Sequence, residues 1–154
     1  MNKIFSTFII LLLSVISVSA KNLKPTSWES YGVTFLAPAD IIIEDDSEES
    51  LTISNSDISI NIQLLYGDGL KEKELIDDLK HITQEDNLKQ TSEISPIELI
   101  HFFGAYITGT CETDQCLYSY LTTKDNACSF YISIICGKSD LSLAKEILRS
   151  FKLE

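Results

Sequence analysis

The clearest pattern in the chain is a strict alternation over residues 57–64. Ile58, Ile60, Ile62 and Leu64 fall on one face, and Ser59, Asn61 and Gln63 on the other. A period of two predicts a strand with one buried face. The period changes after Gly67-Asp68-Gly69, which reads as a turn because it lacks the Lys and the following Ser or Thr of a phosphate loop. Leu75, Ile76, Leu79 and Ile82 then form one helical stripe, with Glu72, Lys73, Asp77, Asp78 and Lys80 on the opposite side, predicting a helix over 70–84. Asp77 can pair across one turn with Lys73 or with His81.

Ahead of these elements, residues 31–36 have strand content, 37–40 form a turn, and Ile41-Ile42-Ile43 reads as a short apolar strand. Residues 44–50 are acidic and read as a solvated loop, and 51–54 alternate briefly. A meander begins at Ile94, where Pro96 confines the first part to a strand start or an edge. Three strands are predicted over 102–111, 116–122 and 128–136, with turns at 112–115 and 124–127, and Gly104 and Gly109 offering bends or bulges. Ser139 or Asp140 can cap a last helix whose stripe is Leu143, Ala144, Ile147, Leu148 and Phe151. Strands, helix, strands, helix is the order of an α+β domain, a largely antiparallel sheet flanked by two helices, over residues 31–154.

The N-terminus belongs to another pattern. Lys3 precedes an uncharged apolar run over 8–18, which ends in Val18-Ser19-Ala20 before Lys21-Asn22. A basic start, a short apolar run and small residues describe a secretory signal peptide over residues 1–20. The run is shorter than the roughly 20 apolar residues that cross a bilayer. The expected mature protein is exported, periplasmic or secreted, with no stable membrane anchor. Residues 21–30, polar and containing Pro25, form its lead-in.

Composition narrows the partners. The chain carries 12 basic and 23 acidic side chains, a net charge of -11. Loss of Lys3 with the leader takes this to -12. Such a balance argues against nucleic acid, whose phosphates need Lys and Arg, and against anionic membrane surfaces.

The residues 31–35, Tyr-Gly-Val-Thr-Phe, running into Pro38, together with the short strands, the mid-chain helix, the meander and a closing helix ending Ile147-Leu148-Arg149-Ser150-Phe151, resemble the PsbP/Mog1-like fold over residues 28–152. That resemblance implies an antiparallel sheet flanked by helices. Relatives of this build include photosystem accessory subunits, a small-GTPase-binding protein and bacterial secretion-system chaperones, mostly non-catalytic binding proteins. One departure is Ile41-Ile42-Ile43, where the family often has an aromatic residue.

Four cysteines in an exported chain suggest disulfides. Cys128 and Cys136 lie on one predicted strand, about 26 Å apart at strand rise, beyond the reach of a bond that needs Cα atoms within about 7 Å. Cys111 and Cys116 flank the predicted four-residue turn and are the first choice; Cys116 with Cys136 is the alternative. A redox site is disfavoured, because Glu112 and Asp114 would raise a neighbouring thiol's pKa. No pair has zinc-ligand spacing, and His81 and His101 fall in different elements. The acidic run departs from a calcium loop, with Ser50 and Ser56 where Gly and Glu belong. No cofactor is implied.

The reading is an exported non-catalytic binding or accessory protein with an unidentified protein partner. Tyr118, Tyr120 and Tyr131 are the candidate partner-binding residues, unless they pack under a helix. The alternatives are a thiol-dependent or hydrolytic enzyme, and a chaperone or immunity protein for a secreted partner.

Overall fold

A computed structural model describes residues 22–65, 71–137 and 141–154. The leader, the Gly67-Asp68-Gly69 turn and the Ser139 or Asp140 cap lie outside the described residues.

The strands are β1 (Leu23–Trp28), β2 (Val33–Pro38), β3 (Ile42–Asp46), β4 (Ser50–Ser54), β5 (Ile58–Leu65), β6 (Ser95–Glu98), β7 (Phe102–Cys111), β8 (Asp114–Thr123), β9 (Ser129–Cys136) and β10 (Lys152–Leu153). The helices are α1 (Glu72–Glu85) and α2 (Leu141–Arg149). Among the described residues the strands form a seven-stranded sheet ordered β3-β4-β5-β9-β8-β7-β6 and a three-stranded sheet ordered β1-β2-β10. Every pairing is antiparallel. This is the α+β architecture that the periodicities predict.

The large sheet buries two different faces. Alternation in β5 sends Ile60 and Ile62 to one side, opposite Ile134 and Ile132 of β9. There they meet α2 and the small sheet in the main core, where Phe35 stacks on Phe151 at 4.7 Å between centroids. The other face holds Cys116, Tyr118, Tyr120 and Tyr131 and packs against α1 through Leu75 and Leu79.

The polar lead-in is in fact β1. Its outer residues are exposed, which disguises it, but Trp28 is fully buried and its indole N–H donates to the Ser47 carbonyl at 2.9 Å. The Ile41-Ile42-Ile43 strand begins one residue later and is not a core strand. Ile42 and Ile43 are each 63 % exposed on β3, an edge strand that continues through Glu44, Asp45 and Asp46. Part of the acidic run is therefore strand rather than loop, and its charges protect an edge from further pairing. The Asp45 carboxylate also accepts from Ser47 and Ser50.

Helix α1 starts where Glu74 turns back to accept from the Lys71 N–H at 3.2 Å. It ends in a Schellman motif. Asn87 takes a left-handed φ of 52°. Its N–H donates to Gln84, and the Leu88 N–H donates to Thr83. Leu88 then sits against Gly109, where a Cβ would come 2.7 Å from Leu88 Cγ. Lys89 bridges to Thr110. Gly109 is thus a point of close approach rather than a bulge. The same holds for Gly104, where a Cβ would fall 2.0 Å from the Tyr120 carbonyl oxygen.

Candidate ligand cavity beneath helix α1

The register of β8 against β9 decides the site. Tyr120 lies directly opposite Tyr131, and Tyr118 opposite Ser133. All three tyrosines face α1. They are buried beneath it, so they are not an open surface for a protein partner; Tyr120 is 1 % and Tyr131 8 % exposed. The Tyr118 and Tyr131 rings stack at 6.0 Å.

Their hydroxyls differ. Tyr118 donates to the Asp86 carboxylate at 2.9 Å and lies 3.4 Å from the Cys111 sulfur. The Tyr120 and Tyr131 hydroxyls are buried with no hydrogen-bond partner. Leaving a buried polar group unpaired costs about 1–3 kcal/mol, so a native chain has reason to keep few of them. Burial raises the pKa of all three phenols, with Tyr120 pushed up to about 12. All three stay protonated at neutral pH and able to donate.

Both unpartnered tyrosines line a cavity of about 180 Å³ between α1 and the sheet. Leu65, Leu75, Leu79 and Ile82 supply apolar wall, while Asp78 and His81 complete the lining from exposed helix positions. The arrangement can seat a small apolar molecule, while the two hydroxyls themselves stay shielded.

The cysteines answer the disulfide expectation differently from either pairing. All four are free thiols. The alternative pair is ruled out by register. Cys116 lies opposite Ile135 and Cys136 opposite Gln115, which puts the two sulfurs on opposite faces of the sheet. The first-choice pair shares a face, but the hairpin is tighter than the pattern implied. The strands run to Cys111 and restart at Asp114, with Glu112 at φ 53° in the two-residue turn. Cys111 therefore faces Asp114, Cys116 faces Gly109, and the two cysteines are diagonal neighbours. Burial pushes the Cys116 thiol up, and the adjacent Cys111 adds to this.

The histidines do not converge. His81 faces Glu85 at 3.6 Å, and Asp77 reaches Lys80 at 3.8 Å. His101 Nδ1 accepts from the Leu153 N–H at 3.0 Å and so fastens β10. Among the described residues no group of three or more His, Cys, Asp or Glu could hold a metal ion. No described helix is long and apolar enough to cross a membrane.

The tyrosines were visible in the sequence, but the cavity and the role of Asp86 were not. A signal did exist. One face of β8 and β9 is Leu, Ile and Phe, while the face beneath an amphipathic helix repeats tyrosine where aliphatic residues would fill the space.

With fold and cavity in view, the class follows. This is an α+β protein of the Mog1/PsbP-like fold. It superposes on the Saccharomyces cerevisiae Ran-binding protein Mog1p with a TM-score of 0.56 at 11 % identity, covering 87 % of this chain and 96 % of that one. A point mutant of Mog1 gives a TM-score of 0.55 at 11 % identity, covering 86 % and 96 %. The chain belongs to the dihydro-orotase-like family, whose model matches residues 18–140. No curated protein matches it.

Proposed function

We propose that this chain is an exported binding protein without chemistry of its own, and that it binds in the cavity beneath α1. The observation that carries this reading is the cavity of about 180 Å³ between α1 and the sheet, walled by Leu65, Leu75, Leu79 and Ile82 and by Tyr120 and Tyr131. Export rests on the N-terminal pattern, with cleavage after Ala20. The accessory form of the same reading adds a protein partner, of the kind for which the yeast Mog1p structure is named. Amide chemical shifts recorded against a small-fragment collection test the binding site. Shifts concentrated at 75–82, 120 and 131 are expected. Fragments that bind only elsewhere would contradict the assignment.

A hydrolytic enzyme is the second reading. It is favoured by the family's dihydro-orotase-like description and by Asp78 and His81 beside the cavity. Incubation with dihydro-orotate decides between them. Consumption abolished by His81→Ala would establish the enzyme, and none is expected.

A further inference from the structure

We propose that the cavity beneath α1 takes an apolar body of about one ring bearing a cationic head, the body under the helix and the cation at the mouth beside Asp78. The inference rests on the binding reading above and deepens it by naming the ligand class.

Size and wall set the body. A cavity of about 180 Å³ is close to the roughly 150 Å³ engineered cavity that encloses benzene. It falls below the roughly 300 Å³ at which sites for drug-sized ligands begin. Leu65, Leu75, Leu79 and Ile82 present aliphatic surface. Tyr120 and Tyr131 add ring surface only, because their hydroxyls are shielded. Such a wall favours a body that leaves water without giving up hydrogen bonds.

The mouth sets the head. Asp78 and His81 belong to the lining, yet both are exposed, and Leu65 and Ile82 are only half-buried. The cavity therefore meets water along this flank of α1, and a ligand can enter with the helix in place. Asp77 is paired with Lys80 at 3.8 Å, and Glu85 faces His81 at 3.6 Å. Asp78 has no ion-pair partner among the described residues.

A cation at that opening keeps its water and gains a carboxylate, so no burial cost falls on the charge. An anion there meets Asp78, Glu85 beside His81, and a chain of net charge -11. The attraction of one exposed carboxylate is small, a gain in affinity of about two- to fivefold.

Three probes of one shape test this by titration of the mature chain at low ionic strength, followed by amide chemical shifts: benzylamine, toluene and benzoate. Benzylamine is expected to bind about two- to fivefold tighter than toluene, with benzoate the weakest. Added salt should erase the advantage of benzylamine over toluene. Asp78→Asn should bring benzylamine to the level of toluene and leave toluene unchanged. Toluene binding as tightly as benzylamine in the unaltered chain would overturn the cationic head and leave the cavity as a site. Tightest binding by benzoate, or a benzylamine advantage that survives in Asp78→Asn, would do the same. Binding by none of the three would overturn the binding reading itself.

Discussion

Tyr118, Tyr120 and Tyr131 lie under one helix, yet only the Tyr118 hydroxyl among them has hydrogen-bond partners, Asp86 and Cys111. Their substitutions should therefore diverge. Tyr118→Phe removes a bond to an exposed carboxylate and should cost about 1 kcal/mol. Tyr120→Phe and Tyr131→Phe remove groups that are already unsatisfied, so stability should hold or rise by up to about 1 kcal/mol. Urea unfolding measures all three, and a loss at position 120 or 131 equal to that at 118 would show a partner for the hydroxyl. The raised phenol pKa values carry a second consequence. A group whose pKa is higher folded than unfolded contributes stability that is complete below the unfolded value and is lost as pH rises through the folded one. For Tyr120 that window runs from 10 to about 12. Stability should fall across it, and the fall should be shallower in Tyr120→Phe. Denaturant midpoints taken from pH 9 to 12 check the slope.

Among the elements, β7 and β8 hold Tyr120 in place by an approach that tolerates no side chain at position 104. Gly104→Ala sets a Cβ against the Tyr120 carbonyl and should cost about 3 kcal/mol, the upper end for overpacking. Gly109→Ala pushes instead on Leu88 and the Lys89 carbonyl at 2.8 Å and should loosen the C-terminal anchor of α1. Elements with strong periodicity were legible in the sequence. β5 alternates as its residues do, α1 and α2 follow their stripes, and Pro96 falls on the edge strand β6. β1 escaped because an edge strand with exposed Lys24 and Pro25 has no alternation to read. β10 escaped because two residues carry no period; its place depends on the His101 ring. The Cys111–Asp114 turn was misread because hydropathy does not report a left-handed residue such as Glu112.

For the whole molecule, the pattern of faces was readable but the register was not. Period two put the tyrosines on one side of their strands, and only strand pairing could set Tyr120 opposite Tyr131 and send Cys116 and Cys136 to opposite faces. Strand pairing also bears on the two cysteines that share a face. Cys111 and Cys116 are diagonal neighbours on one face, and residues so placed lie about 7–8 Å apart, at or beyond the reach of a disulfide. Four free thiols per chain are therefore expected under denaturing conditions with or without a reductant, and two without it would show that this pair closes. The mature chain should begin at Lys21, which intact mass determines.

The most direct test of the binding claim is diffraction from crystals of the mature protein soaked in a collection of small apolar fragments. The expected density places a fragment between α1 and the sheet, against Leu75, Leu79 and the Tyr120 and Tyr131 side chains. A cavity closed over by Leu75 and Leu79, with fragments bound only elsewhere, would contradict it.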